Sequence, residues 1–181
     1  MKKKAAKKLK EVALLKIDFG CGKNPREGFQ GADIRDFGQP FVFDLRKKWP
    51  WADGSIEEAH TSHFLEHLTA EERIHFVNEL YRCLKLGGKC QVITPHWASA
   101  RAYGDLTHKW PPVSEMWFHY LNKVWREANA PHNDEYNCDF LVTWGYTLHP
   151  SVVPRNQEYQ LNALNFYKEA AQDTMATFTK Q

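Results

Sequence analysis

Paired cysteines, long apolar runs and internal repeats are all missing from this sequence, and each absence removes a class of protein. The four cysteines among 181 residues, Cys21, Cys83, Cys90 and Cys138, are widely spaced and form no Cys-x-x-Cys pair. Neither a zinc knuckle nor a disulfide framework is therefore suggested, and the thiols read as reduced ones in a reducing compartment. The apolar stretch from Val12 to Phe19 is broken by Lys16 and Asp18. It is too short for a signal-peptide core or a membrane span. The expectation is a soluble, cytoplasmic protein with no membrane partner. No repeat is visible along the chain.

What is present is ordinary for a globular protein: 43% hydrophobic and 25% charged residues, which argues against wholesale disorder. The length suits one domain that buries about two thirds of its unfolded surface. The net charge of +2 is unevenly spread, because Lys2, Lys3, Lys4, Lys7, Lys8 and Lys10 crowd the N-terminus and the remainder would be mildly acidic without them. Residues 1–10 read as a solvated, flexible leader, with a sharper alternative as an electrostatic handle for nucleic acid. Residues 11–181 read as a single domain.

The most informative stretch is Leu14-Leu15-Lys16-Ile17-Asp18-Phe19-Gly20-Cys21-Gly22, followed by Gly31-Ala32-Asp33-Ile34. An apolar run that breaks into Gly-x-Gly lets a nucleotide-like ligand approach the backbone of a parallel sheet, and an acid at the next strand tip can accept from ribose hydroxyls. A third strand, Pro40 to Leu45, ends in another acid, and a fourth is expected over Ile56 to Ser62. Thr69-Ala70-Glu71-Glu72 has the form of a capping box, after which Ile74, Val77, Leu80, Tyr81 and Leu84 recur at helical spacing up to Gly87-Gly88. Lys89 to Thr94 is a fifth strand. Beyond it, a Ser114-capped helix carrying Trp117, Tyr120, Leu121, Val124 and Trp125 is expected to stop at Pro131. A last strand over Phe140 to Leu148 and a final helix from about Asn156, with Leu161, Leu164, Tyr167, Ala171, Met175 and Phe178 as its stripe, complete the reading.

Taken in order, Ile17-Asp18-Phe19-Gly20-Cys21-Gly22, Gly31-Ala32-Asp33-Ile34, Phe43-Asp44-Leu45, Ser62-His63-Phe64-Leu65-Glu66-His67-Leu68 and Tyr81-Arg82-Cys83-Leu84-Lys85-Leu86-Gly87-Gly88 resemble the class I S-adenosylmethionine-dependent methyltransferases, within them a short-loop, methyltransferase-domain-11-like subgroup. The resemblance covers roughly residues 14–96, the expected cofactor-binding core. Residues 97–181 would form the acceptor-capping region and a C-terminal helix. The implied fold is α/β, a Rossmann-like doubly wound and mostly parallel sheet, abbreviated at the C-terminal hairpin because only one strand is legible there. Asp33 lies eleven positions after Gly22. A dinucleotide unit places its acid about 20 residues on, so the usual helix between the first two strands is missing or a single turn.

The resemblance also implies roles. Gly20 and Gly22 would let the methionine portion of S-adenosyl-L-methionine lie against the backbone, with Asp18 near its amino group. Asp33 would hold the ribose hydroxyls, Asp44 and the Leu45 backbone the adenine edge, and Ser62 with His63 would lie beneath the sulfonium. The sequence departs from the pattern at Asn24, where a third glycine is common, and at Leu86, where proline is usual.

Methyl transfer from a sulfonium is an in-line displacement that alignment and desolvation accelerate, without a nucleophilic side chain. A hydroxyl acceptor would benefit from a base, and His108 and His96 are the candidates. A metal grouping of His60, His63, His67 and Glu66 is set aside: a strand turning into a loop points such side chains apart, so no metal is expected. Trp97 and Trp110 are candidates for a pocket wall, whereas Trp117 and Trp125 read as the buried face of their helix. The expected activity is methylation of a small-molecule or sugar hydroxyl or amine. A nucleic-acid methyltransferase and a non-catalytic S-adenosylmethionine-binding protein are the alternatives. An oxidoreductase would need Gly-x-Gly-x-x-Gly, which Pro25 interrupts.

Overall fold

The computed structural model describes residues 14–181; the expected lysine-rich leader, residues 1–10, lies outside them. Seven strands form one mixed sheet: β1 (Leu15–Phe19), β2 (Gln30–Asp33), β3 (Phe41–Val42), β4 (Ile56–Ser62), β5 (Leu84–Pro95), β6 (Phe140–Leu148) and β7 (Ala171–Lys180). Their order is β3-β2-β1-β4-β5-β7-β6. Strands β1 to β5 pair in parallel, while β7 runs antiparallel to both β5 and β6. The C-terminal ends of the parallel strands therefore open on one edge, with the β1 and β4 tips adjacent.

No helix joins β1 to β2, β2 to β3 or β3 to β4, in keeping with the short spacings in the sequence. Helix α1 (Ala70–Cys83) crosses from β4 to β5, and its start is set by the expected capping box: the Thr69 N–H donates to Glu72 Oε2 at 2.9 Å and the Glu72 N–H to Thr69 Oγ1 at 3.3 Å. Phe76, Val77 and Leu80 lie fully buried against Ile17, Phe19, Ile56 and Ala59. Trp49 and Trp51 close this core, with the Phe19 and Trp49 ring centres 4.4 Å apart.

The opposite sheet face is polar. Lys16 pairs with Glu58 at 2.8 Å and the Arg26 guanidinium donates to Gln91. Thr177 and Thr179 continue the row on β7, opposite Gln91 and Lys89. Parallel sheets normally bury both faces under crossover helices. Here the crossovers on one side are too short to cover it, and the strands alternate apolar and polar residues to suit.

Three expectations are corrected. First, the C-terminal hairpin is complete. The segment expected as the tail of the final helix splits: α5 (Gln157–Phe166) starts on its Asn156 cap, whose Oδ1 accepts from the Tyr159 N–H at 2.9 Å, and the chain then turns at Glu169 (φ 64°) into β7. Ala171, Met175 and Phe178 thus belong to a strand whose buried positions include Thr174, Ala176 and Phe178. Pairing on both sides, with β5 and β6, outweighs a weak helical stripe.

Second, α1 ends at Cys83, because Leu84 is already extended and pairs with Ile56. Gly87 (φ 70°) serves a turn within β5 instead. A side chain at Gly88 would meet the Lys85 carbonyl at 2.8 Å.

Third, the helix expected after Ser114 is two: α3 (Glu115–His119) and α4 (Lys123–Asn129). Asn122 caps the second by accepting from the Trp125 N–H at 2.9 Å, while Ser114 makes no side-chain cap bond. The short helix α2 (Arg101–Gly104) follows β5.

The loop spanning residues 105–112 is pinned to the 3-10 turn Leu65–His67 by one buried side chain. Arg73 is 5% exposed, and its guanidinium donates to the carbonyls of Leu65 (2.9 Å), Pro111 (2.6 Å) and Lys109 (3.3 Å). Arg73→Met would keep the stem and leave one buried and two half-buried carbonyls without their donor, so a loss of about 1–3 kcal/mol in urea denaturation is expected. A loss below about 0.5 kcal/mol would mean that the loop is held by other contacts.

Candidate functional site

At the C-terminal edge of the sheet a cavity of about 240 Å³ is lined by Gly20, Asp33, Ile34, Asp44, Leu45, Arg46, Phe64, His67 and Leu68. A second opening of about 170 Å³ is lined by Asp18, Gly20, Cys21, Asn24, Arg26, His60 and Ser62. Gly20 borders both. An elongated ligand can therefore pass over one backbone position, with one end among Asp33, Asp44 and Leu45 and the other beside Asp18 and Ser62.

The approach over Gly20 depends on its missing side chain. Its φ is 64°, and an added Cβ would lie 2.4 Å from the Phe64 ring. Phe64, absent from the expected site, is thus the wall against which Gly20 is fitted. Gly22 (φ 56°) has nothing within 4 Å of an added Cβ; its contribution is its N–H, which donates to Asp33 Oδ2 at 2.9 Å. The Arg35 N–H donates to Asp33 Oδ1 at 2.9 Å. Two backbone donors thereby orient the carboxylate, and each oxygen retains a lone pair for a hydroxyl.

Asp44 is held differently. The Arg46 side chain donates to both of its oxygens, at 2.8 and 3.0 Å, and this pairing holds the carboxyl below the usual carboxylate range. Arg46 also lies 3.6 Å from Glu72. Arg46 lines the cavity and was not marked by the sequence reading, although its position two residues past Asp44 was a usable signal.

Asp18 is nearly buried: its Oδ2 accepts from the Arg26 N–H at 2.8 Å and its Oδ1 lies 2.7 Å from His60 Nδ1. His60 therefore serves as a partner to Asp18. Burial, reinforced by Asp18 and Asp33, pushes the Cys21 thiol up to about 11, so it stays protonated and unreactive at neutral pH.

Ser62 lines the second opening, whereas His63 lines neither. Its backbone is left-handed (φ 53°), with Nδ1 3.2 Å from Glu66 Oε1 and Nε2 4.0 Å from Asp173 Oδ1. His96 is 4% exposed, and its Nδ1 accepts from the Ala98 N–H at 3.2 Å. The proton then resides on Nε2, which leaves no lone pair for an acceptor's proton. His108 is the converse: its Nδ1 is 3.0 Å from the Ala102 carbonyl, which can only accept, so Nε2 keeps the free lone pair. Its ring meets that of His67 edge-on at 4.8 Å.

Burial also depresses the His96 pKa below the ordinary 6.5. The folded state then holds the ring neutral while the unfolded chain takes up a proton as pH falls below about 6.5, so stability present above that pH is lost beneath it. His96→Gln is expected to flatten the acid limb of the stability profile, measured by urea denaturation across pH 5–7.5 with about half-unit steps.

The aromatic residues divide only in part as expected: Trp125, on α4 and not α3, is half-buried against His119 and Tyr120 outside the main core. Trp97, Tyr103 and Trp110 line a cleft of about 600 Å³ with Pro111, Pro112 and Met116, and Trp110 is 77% exposed. Trp117 instead packs against the core and donates to the Tyr136 hydroxyl at 3.0 Å.

Neither a family model nor a curated protein matches this sequence. Solved structures do match in shape. An S-adenosylmethionine-dependent methyltransferase from Archaeoglobus fulgidus superposes with a TM-score of 0.66 at 20% identity, over 93% of this chain and 86% of that one. The methyltransferase domain of bacterial CtHen1-CN gives 0.54 at 15% identity, over 93% and 91%. Geranyl diphosphate C-methyltransferase from Streptomyces coelicolor A3(2) gives 0.52 at 16%, over 94% and 72%. With the strand order and the cavity at the sheet edge, these superpositions show that the chain has the class I S-adenosylmethionine-dependent methyltransferase fold.

Proposed function

We propose that this protein is an enzyme that binds S-adenosyl-L-methionine and transfers its methyl group to a hydroxyl or amine of a small molecule or sugar. The observation that carries the reading is a cavity lined by Gly20, Asp33, Asp44 and Leu45 that shares Gly20 with a second opening lined by Asp18 and Ser62. Asp33 accepts from both ribose hydroxyls. The adenine edge meets Asp44 and the Leu45 backbone between the apolar side chains of Ile34 and Leu68. The methionine end crosses Gly20, and its amino group lies near Asp18.

The chemistry needs little more than this. The acceptor atom attacks the methyl carbon in line, the bond to sulfur breaks, and the acceptor loses a proton; alignment supplies much of the acceleration. The cleft walled by Trp97, Tyr103 and Trp110 is the acceptor side, where flat aromatic surfaces suit a ring or sugar. His108, with its free Nε2, suits that side better than His96.

Among the described residues no helix is long and apolar enough to cross a membrane. The test is incubation with isotopically labelled methyl donor and fractionated host metabolites, RNA and DNA. Label in the small-molecule fraction is expected. Label in nucleic acid alone would overturn the acceptor class, and tight cofactor binding with no transfer to any fraction would overturn the activity.

A further inference from the structure

We propose that Glu66, His67 and His108 form a binding site for one divalent transition-metal ion of the zinc class, on the acceptor side of the cofactor cavity. One candidate ligand atom from each of the three lies within 4.8 Å of the others. This set differs from the grouping suggested by sequence proximity: His60 belongs to Asp18, and His108 comes from a loop some forty residues on. What unites them is Arg73, whose three carbonyl bonds lock that loop onto the 3-10 turn.

Both imidazoles are prepared as ligands. The His108 Nδ1–H is directed to the Ala102 carbonyl. His67 Nδ1 lies 3.0 Å from Thr107 Oγ1, whose own proton goes to Asp105 Oδ1 at 2.7 Å, so the His67 nitrogen is the donor. Each ring thus presents a bare Nε2, oriented by a partner on its other nitrogen, which is the usual support of a metal-bound histidine, and in His108 this lone pair then serves as a ligand in place of a base.

An independent observation comes from Glu66. Its side chain is 5% exposed, Oε2 accepts from Thr94 at 3.3 Å, and Oε1 is buried without a hydrogen bond, beside the His63 ring, whose Nδ1 lies 3.2 Å away. A buried carboxylate oxygen without a hydrogen bond is costly, and a cation would relieve it.

Two imidazoles and one carboxylate suit zinc, cobalt or manganese rather than magnesium or calcium, which favour all-oxygen sites. Tetrahedral bonds of 2.0–2.1 Å put ligand atoms about 3.3 Å apart, so their separations would shrink by at most about 1.5 Å. Three protein ligands leave a position open. Since His67 lines the cofactor cavity and His108 lies on the loop that carries Trp110 and Pro111 of the acceptor cleft, that position would take an oxygen of the methyl acceptor, a role that rests on the proposed methyl transfer; the binding itself does not.

The experiment uses the chelator-treated, dialysed full chain titrated with Co²⁺ and Zn²⁺ by visible absorption and calorimetry. S-adenosylmethionine affinity is measured on the same samples to report the state of the cofactor site separately. One equivalent of metal with a visible cobalt spectrum is expected, with affinity reduced about tenfold or more in His67→Ala and in His108→Ala and unchanged in the exposed His132→Ala. Sub-stoichiometric binding, or binding retained by the His67→Ala/His108→Ala double variant, would overturn the site. Methyl transfer indifferent to chelator would overturn the acceptor role.

Discussion

Replacing Asp33 with alanine is expected to weaken S-adenosylmethionine binding by about 1–3 kcal/mol, or about 5- to 150-fold in Kd, measured by calorimetry. Two losses combine. The ribose hydroxyls lose their acceptor, and the Gly22 and Arg35 N–H groups that now donate to Oδ2 and Oδ1 are left without a partner. The second loss acts on the ligand indirectly, because the Gly20–Gly22 turn over which the cofactor is proposed to pass is tied to β2 through that carboxylate. Asp33→Asn retains one acceptor oxygen and should fall between the parent and alanine. If Asp33→Ala bound the cofactor as tightly as the parent, the ribose would have to be held elsewhere.

Gly20→Ala is expected to have the larger effect, with cofactor affinity reduced more than about 100-fold and a lower melting temperature. Its added methyl group would lie 2.4 Å from Phe64, at a position where φ is 64°. The left-handed backbone alone costs a non-glycine residue about 1–2 kcal/mol. The collision is a separate penalty, and it falls on Phe64, a wall of the cavity that holds Asp33 and Asp44.

Gly22→Ala supplies the contrast, since the same backbone strain applies at φ 56° but open space surrounds the new atom. A drop of only a few-fold in affinity is expected there. Comparable losses in the two variants would show that strain alone accounts for the effect and that the close approach at Gly20 has no part in it.

The cofactor half of the sheet was legible because its signals are local. Gly20, Gly22, Asp33 and Asp44 each follow a short apolar run, so their places at strand ends can be read from neighbours a few residues away. Thr69 and Glu72 mark the start of α1 in the same way, and the structure shows both halves of the box.

Signals that depend on partners distant in sequence were lost. Strand β7 alternates buried Thr174, Ala176 and Phe178 with Met175, Thr177 and Thr179, a pattern that becomes clear only once β5 and β6 flank it. Phe64 belongs to the familiar Ser62 to Leu68 segment, yet its role comes from meeting Gly20, forty-four residues earlier. The juxtaposition of His108 with His67 depends on Arg73 and was invisible to spacing for the same reason. The break between α3 and α4 is an exception: Asn122 is a good cap, and its residue type was a local clue.

The most direct measurement is a crystal structure of the protein with S-adenosylhomocysteine. The ribose hydroxyls should lie within hydrogen-bond distance of Asp33, the adenine beside Asp44 and Leu45, and the amino-acid end beyond Gly20 near Asp18. A nucleoside bound elsewhere on the surface, or an empty sheet edge at saturating ligand, would contradict the account.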